Sequence, residues 1–237
     1  VETHSLKDYA TRVRGTYEML RHSLAVIGAE STALRALASA ADARSAALEK
    51  QTIPVQFETD FTDSVMIDFL GVEYTVGKSD ITGGKWVRYS STPATLKLPL
   101  FAKQKVAATA TVPAAYVVPA AWTDVVERIR AHGIACREIE EPVTIDVSTY
   151  RFSNVTWAEK PFEGHHVLKY DITPVTERMT LSPGSLVIDT AQPLGRVLAH
   201  LLEPAAPDAL VRWGFLDASF EQKEYFEGYV MEAMIRR

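Results

Sequence analysis

Cysteine, clustered basic residues and long apolar runs are scarce in this chain of 237 residues, and each scarcity excludes a class of protein. Cys136 is the only cysteine, so the chain has no internal disulfide and no thiolate-based metal site. The 25 lysines and arginines are dispersed among 30 acidic residues, which gives a net charge of -5 and argues against a nucleic-acid partner. The longest apolar run, VPAAYVVPAAW, is interrupted by two prolines and is shorter than the about 20 residues of a membrane span.

Common sequence signatures of catalysis are absent as well. We find no G-x-S-x-G elbow, no phosphate-binding loop and no acid pair at glycosidase spacing. His200 and Glu203 form an H-x-x-E pattern of zinc-ligand type, but no histidine follows and Pro204 comes next, so we interpret the pair as a helix end. His165 and His166 are adjacent, and in a strand their rings would point to opposite faces. We expect them at the start of a strand, with one ring inward and one in solvent.

The cysteine and the tryptophans could react or bind a ligand, but we predict that they belong to the core. Cys136 lies in the alternating stretch GIACREIE, which predicts a buried structural thiol rather than a reactive one. Tryptophans can stack on sugars, but in a chain of this size they more often fill the core. We therefore expect buried rings at all four positions: Trp86, Trp122, Trp157 and Trp213.

The first fifty residues have a helical pattern. Apolar residues spaced by three and four positions predict one narrow stripe on a helix. Gly28 is a possible helix end with a second helix starting near Ser31, or the helix continues through it with a kink, and the sequence leaves both open. An exposed stripe favours association, so we expect it to pack on a second copy of the chain or on the β-rich body. The stripe consists of Val13, Tyr17, Leu20, Leu24 and Ile27.

From Gln51 onward the period changes to that of strands. Short strands are expected between breaks at Gly71, Gly83-Gly84 and Pro93. The stretch AAYVVPAAWTDVVERIRAHGIACREI predicts a strand–helix–strand unit, whose parallel pairing the pattern leaves open. Further strands follow in VTIDVSTYRF, HHVLKYDIT and ERMTL, and GSLVIDTAQPLGRVLAHLLEP predicts a buried strand and then a helix that stops at Pro204.

The segment SFEQKEYFEGYVMEAMIRR predicts a C-terminal helix with one apolar face. The order of elements favours an α+β fold, with an N-terminal helical segment, a β-rich and mainly antiparallel body, and this last helix. We expect two parts, residues 1–50 and 51–237. The inward residues of the last helix are predicted to be Phe220, Phe226, Tyr229, Val230 and Met234, with Glu221, Glu224 and Glu232 largely outward.

Several stretches together resemble a known family. VETHSLKDYATRV followed by TYEML resembles the end of the catalytic domain of bacterial carboxypeptidase A-like zinc metallopeptidases. The downstream stretches are similar to the C-terminal extension that some of these proteins carry. Each motif alone is of modest specificity. Together the motifs span most of the chain, and their order adds weight to the resemblance. These stretches are AAYVVPAAWTDVVERIRAHGI, PFEG, GSLVIDTAQP, LLEPAAPDALVRWGF and EYFEGYV.

The resemblance implies a role for one residue. Glu2 matches the family's catalytic glutamate, a general base that takes a proton from zinc-bound water and passes it to the leaving amine. The family's better-known members have an arginine two residues later, where this chain has His4. We expect Val1 to lie at a cut through the last strand of the peptidase domain, with the zinc ligands upstream. Residues 1–50 would then be the helical end of the truncated catalytic domain, and 51–237 its extension.

The resemblance also implies partners and a location. The intact protein would be a zinc-dependent, peptide-hydrolysing enzyme, secreted or periplasmic, in which this chain packs on its own upstream catalytic domain. The isolated chain would bind no zinc and be inactive. Two alternatives remain. One is a binding module for carbohydrate or peptide, which exposed Trp or Tyr on a concave face would favour. The other is a structural or docking domain that shapes access to a catalytic domain, which an apolar or charged surface beside the N-terminal helix would favour.

Overall fold

The computed structural model describes residues 2–5, 7–221 and 227–236, and it has the predicted α+β fold. The helical N-terminal segment, the antiparallel strands and the C-terminal helix are all confirmed. Val1 of the expected cut, and Glu224 and Phe226 of the predicted last helix, lie outside the described residues. The elements are α1 Tyr9–Ala29, α2 Ser31–Ala46, β1 Thr52–Thr59, β2 Val65–Lys78, β3 Lys85–Leu100, β4 Gln104–Thr111, β5 Ala115–Val118, α3 Thr123–Ala131, β6 Arg137–Glu138, β7 Val143–Trp157, β8 Leu168–Leu181, β9 Leu186–Asp189, α4 Gly195–Leu202, a 3₁₀ turn Asp217–Ser219 and α5 Gly228–Ile235.

The N-terminal segment is two helices joined at a sharp bend. Asp8 caps α1, since its carboxylate accepts from the Thr11 backbone N–H at 2.9 Å and from the Thr11 hydroxyl at 2.6 Å. Gly28 lies inside α1, and the chain turns by 83° at Glu30, the residue between the two helices. Of the two alternatives that the sequence leaves open, the structure has the second helix starting at Ser31, although α1 continues one residue past Gly28, to Ala29.

The apolar stripe of α1 is exposed in this chain, so its predicted packing on the β-rich body is wrong. Helical spacing does place the five side chains on one face, but no residue of α1 is buried. Packing on a second copy or on an upstream domain stays a prediction. The exposed fractions are 51% for Val13, 61% for Tyr17, 54% for Leu20, 68% for Leu24 and 51% for Ile27.

The cap of α1 predicts a pH dependence. The hydroxyl and backbone N–H of Thr11 hold the pKa of Asp8 below its ordinary value. A depressed folded-state pKa means that the cap contributes fully above the unfolded-state pKa of about 3.9 and loses its contribution as the pH falls through the folded-state value. We expect the helical circular dichroism signal to decrease below about pH 4. Asp8→Asn keeps a good cap without the charge, so part of this decrease should disappear, and an unchanged titration would contradict the cap.

Two compact units make up the chain. Unit 1 comprises residues 1–53 and 110–237, and unit 2 comprises residues 54–109. The predicted division at residue 50, which rests on the family resemblance, stays a prediction. Unit 1 contains the main hydrophobic core, in which α3 and α4 pack with the short strands. Its buried members are Val118, Val125, Val126, Ile129, Ile134, Leu186, Ile188, Leu198, Leu201 and Leu210.

A three-stranded sheet organises unit 1, with β9 between β5 and β6. Both outer strands run antiparallel to β9, so β5 and β6 are parallel to each other without being paired. This confirms the strand–helix–strand unit β5–α3–β6 and shows that β9 lies between its two strands. Leu186 and Ile188 of β9 are fully buried, as the sequence predicts for this strand, and α4 ends before Pro204.

Two long antiparallel ribbons, β2–β3 and β7–β8, replace the shorter strands that the sequence predicts. Pro93 pairs with Val72 inside β3, and Pro174 pairs with Tyr150 inside β8. In a two-stranded ribbon both strands are edges, so a proline can turn its missing N–H outward and the strand continues. Gly71 likewise lies inside β2, opposite Ala94.

Unit 2 has almost no core of its own. Among its described residues, Val55 is the only buried apolar side chain, at 2% exposure. The ribbon β2–β3 therefore presents most of its apolar side chains to solvent, and a lone two-stranded hairpin is marginally stable in water. The predicted burial of all four tryptophans is wrong here, since Trp86 is 50% exposed, and Trp157 of unit 1 is 41% exposed. Trp122 and Trp213 are half-buried.

The C-terminal helix is shorter and more exposed than expected. α5 begins at Gly228, and the described residues predicted to face inward on it are exposed, with 72% for Tyr229, 38% for Val230 and 64% for Met234. Phe220 precedes the helix and packs edge-on against Phe152 at 5.2 Å between ring centroids. A helical period identifies which residues share a face, but it does not show what that face packs against.

No single helix in the described ranges is both long and apolar enough to cross a membrane. Only α1 and α2 taken together satisfy length and composition, and they are separated by the 83° bend.

Candidate functional site

Glu203 is a buried acid at the end of α4, with 4% of its surface exposed. Its two carboxylate oxygens accept hydrogen bonds from two different tyrosines. Tyr116 donates its hydroxyl to Oε1 at 2.6 Å, and Tyr150 donates to Oε2 at 2.7 Å. A buried carboxylate is costly unless it is paired or hydrogen-bonded, and this one receives two donors.

Three elements bring these groups together. Tyr116 lies on β5 opposite Ile188, Tyr150 lies on the ribbon strand β7, and Glu203 follows the last residue of α4. Tyr170 of β8 adds a bond from its hydroxyl to the Pro204 carbonyl at 2.8 Å. Pro204 ends the helix because it has no N–H for the next helical hydrogen bond. The Pro204 carbonyl therefore lies outside the helix, where Tyr170 can donate to it. The cluster thus connects the β7–β8 ribbon to the sheet and to α4.

The electrostatics of the cluster favour a permanent connection. Burial, followed by the hydrogen bond to and the negative charge of Glu203, raises the pKa of Tyr116 and of Tyr150 well above the ordinary value. Burial also raises the pKa of Tyr170. All three phenols therefore stay protonated donors at neutral pH. Since the carboxylate is buried and both its oxygens are engaged, the cluster is suited to holding the fold rather than to reacting with a substrate.

The H-x-x-E pair behaves as a helix end, in line with its interpretation from the sequence. Glu203 is used by the tyrosines, and His200 lies in the last turn of α4. The physical reason differs from the expected one: burial, assisted by the positive charge of Arg196 and opposed by Asp208, lowers the pKa of His200. The neutral imidazole is therefore favoured, and attraction of a cation to the helix end is not what places it there.

Glu2 lies in the irregular segment before α1 and is exposed. It stands six residues ahead of the Asp8 cap of that helix, and the His4 carbonyl accepts from the Lys7 N–H at 3.2 Å. Among the described residues, the hydrogen bonds of the Tyr116–Glu203–Tyr150 cluster do not include Glu2. The role of Glu2 as a base stays a prediction.

Across residues 2–5, 7–221 and 227–236, no three histidine, cysteine, aspartate or glutamate side chains converge on a common point where a metal ion would bind. The residues present in this part of the chain therefore do not fit a zinc site. No step of zinc chemistry is assigned to them.

His165 closes a tight turn before β8 and His166 follows it, so neither lies in the strand itself, which corrects their predicted position. Phe162 and His165 exchange backbone hydrogen bonds of 2.8 and 2.9 Å around Glu163 and Gly164, whose φ angles are 49° and 82°. Two central residues with positive φ form the tight turn typical of hairpins, and glycine adopts this conformation without strain. Both histidines are exposed.

The side chains of this turn have separate partners. The His165 ring contacts Trp213 edge-on, at 5.6 Å between ring centroids. The His166 ring nitrogen Nδ1 lies 2.8 Å from the Ala158 carbonyl oxygen. The two imidazoles are thus occupied with different neighbours. The PFEG and RWGF stretches meet here, since Phe162 also contacts Trp213 at 6.2 Å.

The tyrosines of the buried cluster were missed from the sequence. Tyr116 alternates with buried Val118, and a buried phenol needs a polar partner, so a signal for one half of the contact exists. Its partner is 87 residues away, and that of Tyr150 is 53 residues away. Linear spacing carries no information on such a contact.

Three fungal proteins named Carboxypeptidase 2 are similar to part of this chain. That of Trichophyton rubrum is 25% identical over 104 residues, which is 44% of this chain and 19% of the relative. Those of Trichophyton tonsurans and Trichophyton equinum are 24% identical over 107 residues, 45% of this chain and 20% of each relative.

The chain thus spans about a fifth of the length of these relatives. No protein-family model and no solved structure matches it. The relatives are fungal, whereas the sequence motifs resemble bacterial proteins. The similarity, weak and partial, supports a carboxypeptidase-like relation.

Proposed function

We propose that this chain is the C-terminal part of a bacterial, secreted or periplasmic zinc metallocarboxypeptidase. In the intact enzyme, metal-activated water would hydrolyse peptide bonds in a domain upstream of these residues, and zinc would be bound there. The observation that carries the proposal is the similarity to three proteins named Carboxypeptidase 2, each of which is about five times longer than the matched part.

Glu2 would serve this enzyme as the general base. The position of Glu2 supports this, because it is exposed, uncovered by the core of unit 1, and lies just before the long helix α1. The isolated chain would be inactive, since a carboxylate acts as a base here only on water that a metal has activated.

The first test of the proposal is Glu2→Gln in a protein that includes the upstream sequence. Loss of a general base is expected to reduce kcat by about 10²- to 10⁴-fold, with zinc content unchanged. Glu30→Gln is the matched control, since Glu30 is an acid at the bend between α1 and α2 whose side chain caps neither helix. Equal activity of the Glu2 and Glu30 variants would refute the assignment.

The isolated chain gives a second, independent test. Calorimetric titration with zinc should show no sub-micromolar binding, and incubation with peptides should release no C-terminal residue. Tight zinc binding by the chain alone, or cleavage by it, would contradict an upstream catalytic domain.

A structural or docking domain is the second candidate function. The exposed stripe of α1 favours it, because a contiguous apolar surface of this kind is typical of a contact with another protein surface. In the intact enzyme this surface would face the upstream catalytic domain, and in the isolated chain it would support a homo-oligomer.

A further inference from the structure

The β2–β3 ribbon of unit 2 is interrupted by a bulge. The pair Val72–Pro93 is followed along β2 by the pair Tyr74–Tyr89, and Glu73 between them has no cross-strand partner. Bulges interrupt the ladder and redirect neighbouring side chains, and they often occur beside binding sites. A groove of about 670 Å³ lies at this bulge and is lined in part by Glu73 and the two tyrosines.

The two tyrosines form an exposed aromatic surface in this groove. Their ring centroids are 6.4 Å apart, and the ring planes are inclined by 55°. This separation is in the range of direct ring contact, so the rings stand side by side and leave no space for a ligand between them. Tyr74 is 52% exposed and Tyr89 is 64% exposed. A ligand would therefore lie across both rings rather than enter an enclosed pocket.

One charge of each sign lines the same groove, from Glu73 and Arg88. In the part of the chain that the structure describes, residues 2–5, 7–221 and 227–236, the Glu73 carboxylate has no hydrogen bond and no ion pair. The Arg88 guanidinium lies 5.1 Å from the centre of the Trp86 ring. Stacking uses the face of the guanidinium and leaves its in-plane N–H donors available. The groove thus offers an acceptor and several donors beside an aromatic surface.

We propose that this groove binds a neutral oligosaccharide. The flat C–H face of a sugar with equatorial hydroxyls packs on Tyr74 and Tyr89, because tyrosine rings present an apolar face. The hydroxyls at the edge of the sugar donate to Glu73 and accept from Arg88. Exposed tyrosines on a concave surface also favour the carbohydrate-binding alternative that the sequence leaves open. The site goes beyond the proposed function, since it needs neither zinc nor Glu2.

The balance of charge selects a neutral sugar over other ligands. A hydroxyl is both a donor and an acceptor, so one kind of group satisfies Glu73 and Arg88 together. An anion would be repelled by the carboxylate, and a cation by the guanidinium. Peptides are recognised through pockets for their side chains or by pairing along a strand edge, and a surface of two adjacent rings offers no such pocket.

The test uses the full chain and two soluble tetrasaccharides. Cellotetraose is neutral and has equatorial hydroxyls, whereas tetragalacturonate carries a carboxylate on every sugar. Titrations followed by calorimetry and by the NMR signals of the tyrosine rings should show binding of cellotetraose at millimolar or lower concentration. Tetragalacturonate should bind more weakly, because its carboxylates meet Glu73.

Variants of the two rings test the stacking. Tyr74→Leu and Tyr89→Leu keep an apolar side chain in the ribbon but remove the flat ring, and each should weaken binding about tenfold. Tyr74→Phe keeps the ring and should bind like the unmodified chain. Tyr17→Leu is the matched control, since Tyr17 on α1 is 61% exposed and lies outside the groove.

Glu73→Ala tests the site independently of the rings. It removes no hydrogen bond or ion pair of the described chain, so the fold should be retained. Loss of one hydrogen bond to a charged group should weaken sugar binding about tenfold.

Three outcomes would overturn the site. They are no response of the tyrosine signals to millimolar cellotetraose, unchanged affinity in the Tyr74→Leu and Glu73→Ala variants, and equal or tighter binding of tetragalacturonate or of a neutral tetrapeptide. The last would indicate an anion surface or a peptide site. Because the readout is sugar binding, failure of this site leaves the Glu2 tests of the proposed function unaffected.

Discussion

Replacing Glu203 with alanine is expected to lower the free energy of unfolding by about 3 kcal/mol, because two half-buried tyrosine hydroxyls lose their acceptor at once. Tyr116 and Tyr150 donate to the two separate oxygens of this carboxylate, so alanine at position 203 removes the acceptor of both hydroxyls. An unpartnered buried polar group costs about 1–3 kcal/mol, and two such costs arise here. Urea unfolding followed by tryptophan fluorescence measures the loss.

The matched variants separate charge from shape. Glu203→Gln keeps the size and one carbonyl acceptor, so a smaller loss of about 1 kcal/mol is expected. Tyr116→Phe and Tyr150→Phe each remove one donor and should cost about 1–2 kcal/mol, with a combined loss that differs from the sum. Glu127→Ala on the exposed side of α3 is the control. An Ala variant at Glu203 as stable as this control would show that the cluster does not hold unit 1 together.

Periodicity predicted well where a single segment both forms and buries an element. GSLVIDTAQPLGRVLAHLLEP gave β9 and α4 correctly, because alternating Leu186 and Ile188 enter the core and Pro204 stops the helix. Cys136 packs against the same core, but it is half-buried rather than buried as the sequence predicts. In these elements the apolar pattern of a single segment is enough to predict which residues are buried.

Prediction failed where a second surface decides the outcome. The α1 stripe and α5 have the right helical period, yet their apolar residues are exposed, because spacing does not show what covers a face. The sequence predicts a strand break at Pro93, which holds in the middle of a sheet, but Pro93 lies inside β3, in a ribbon where both strands are edges. The Tyr–Glu contacts join distant segments of the chain, which linear spacing does not reveal.

Gly195→Ala is expected to be among the most destabilising single substitutions in unit 1. Gly195 is the buried first residue of α4, and a Cβ there would lie 2.2 Å from the Thr190 carbonyl oxygen and 2.9 Å from that of Ser45. Both neighbours are backbone atoms, and Thr190 is itself fixed by its hydroxyl bond to the Pro113 carbonyl at 2.7 Å. The clash cannot be relieved by a side-chain rotation, so α4 or the end of α2 must move.

We expect the Gly195→Ala chain to lose about 3 kcal/mol or more, the range of overpacked and strained core substitutions, and to unfold at markedly lower urea. Gly28→Ala is the matched control, because a Cβ at Gly28 in the middle of α1 meets nothing within 4 Å. Alanine should stabilise that helix by about 0.5–1 kcal/mol through its better helix propensity. The same chemical change should therefore act in opposite directions at the two sites. A Gly195 variant as stable as the Gly28 variant would contradict the close approach of Gly195 to the carbonyls of Thr190 and Ser45.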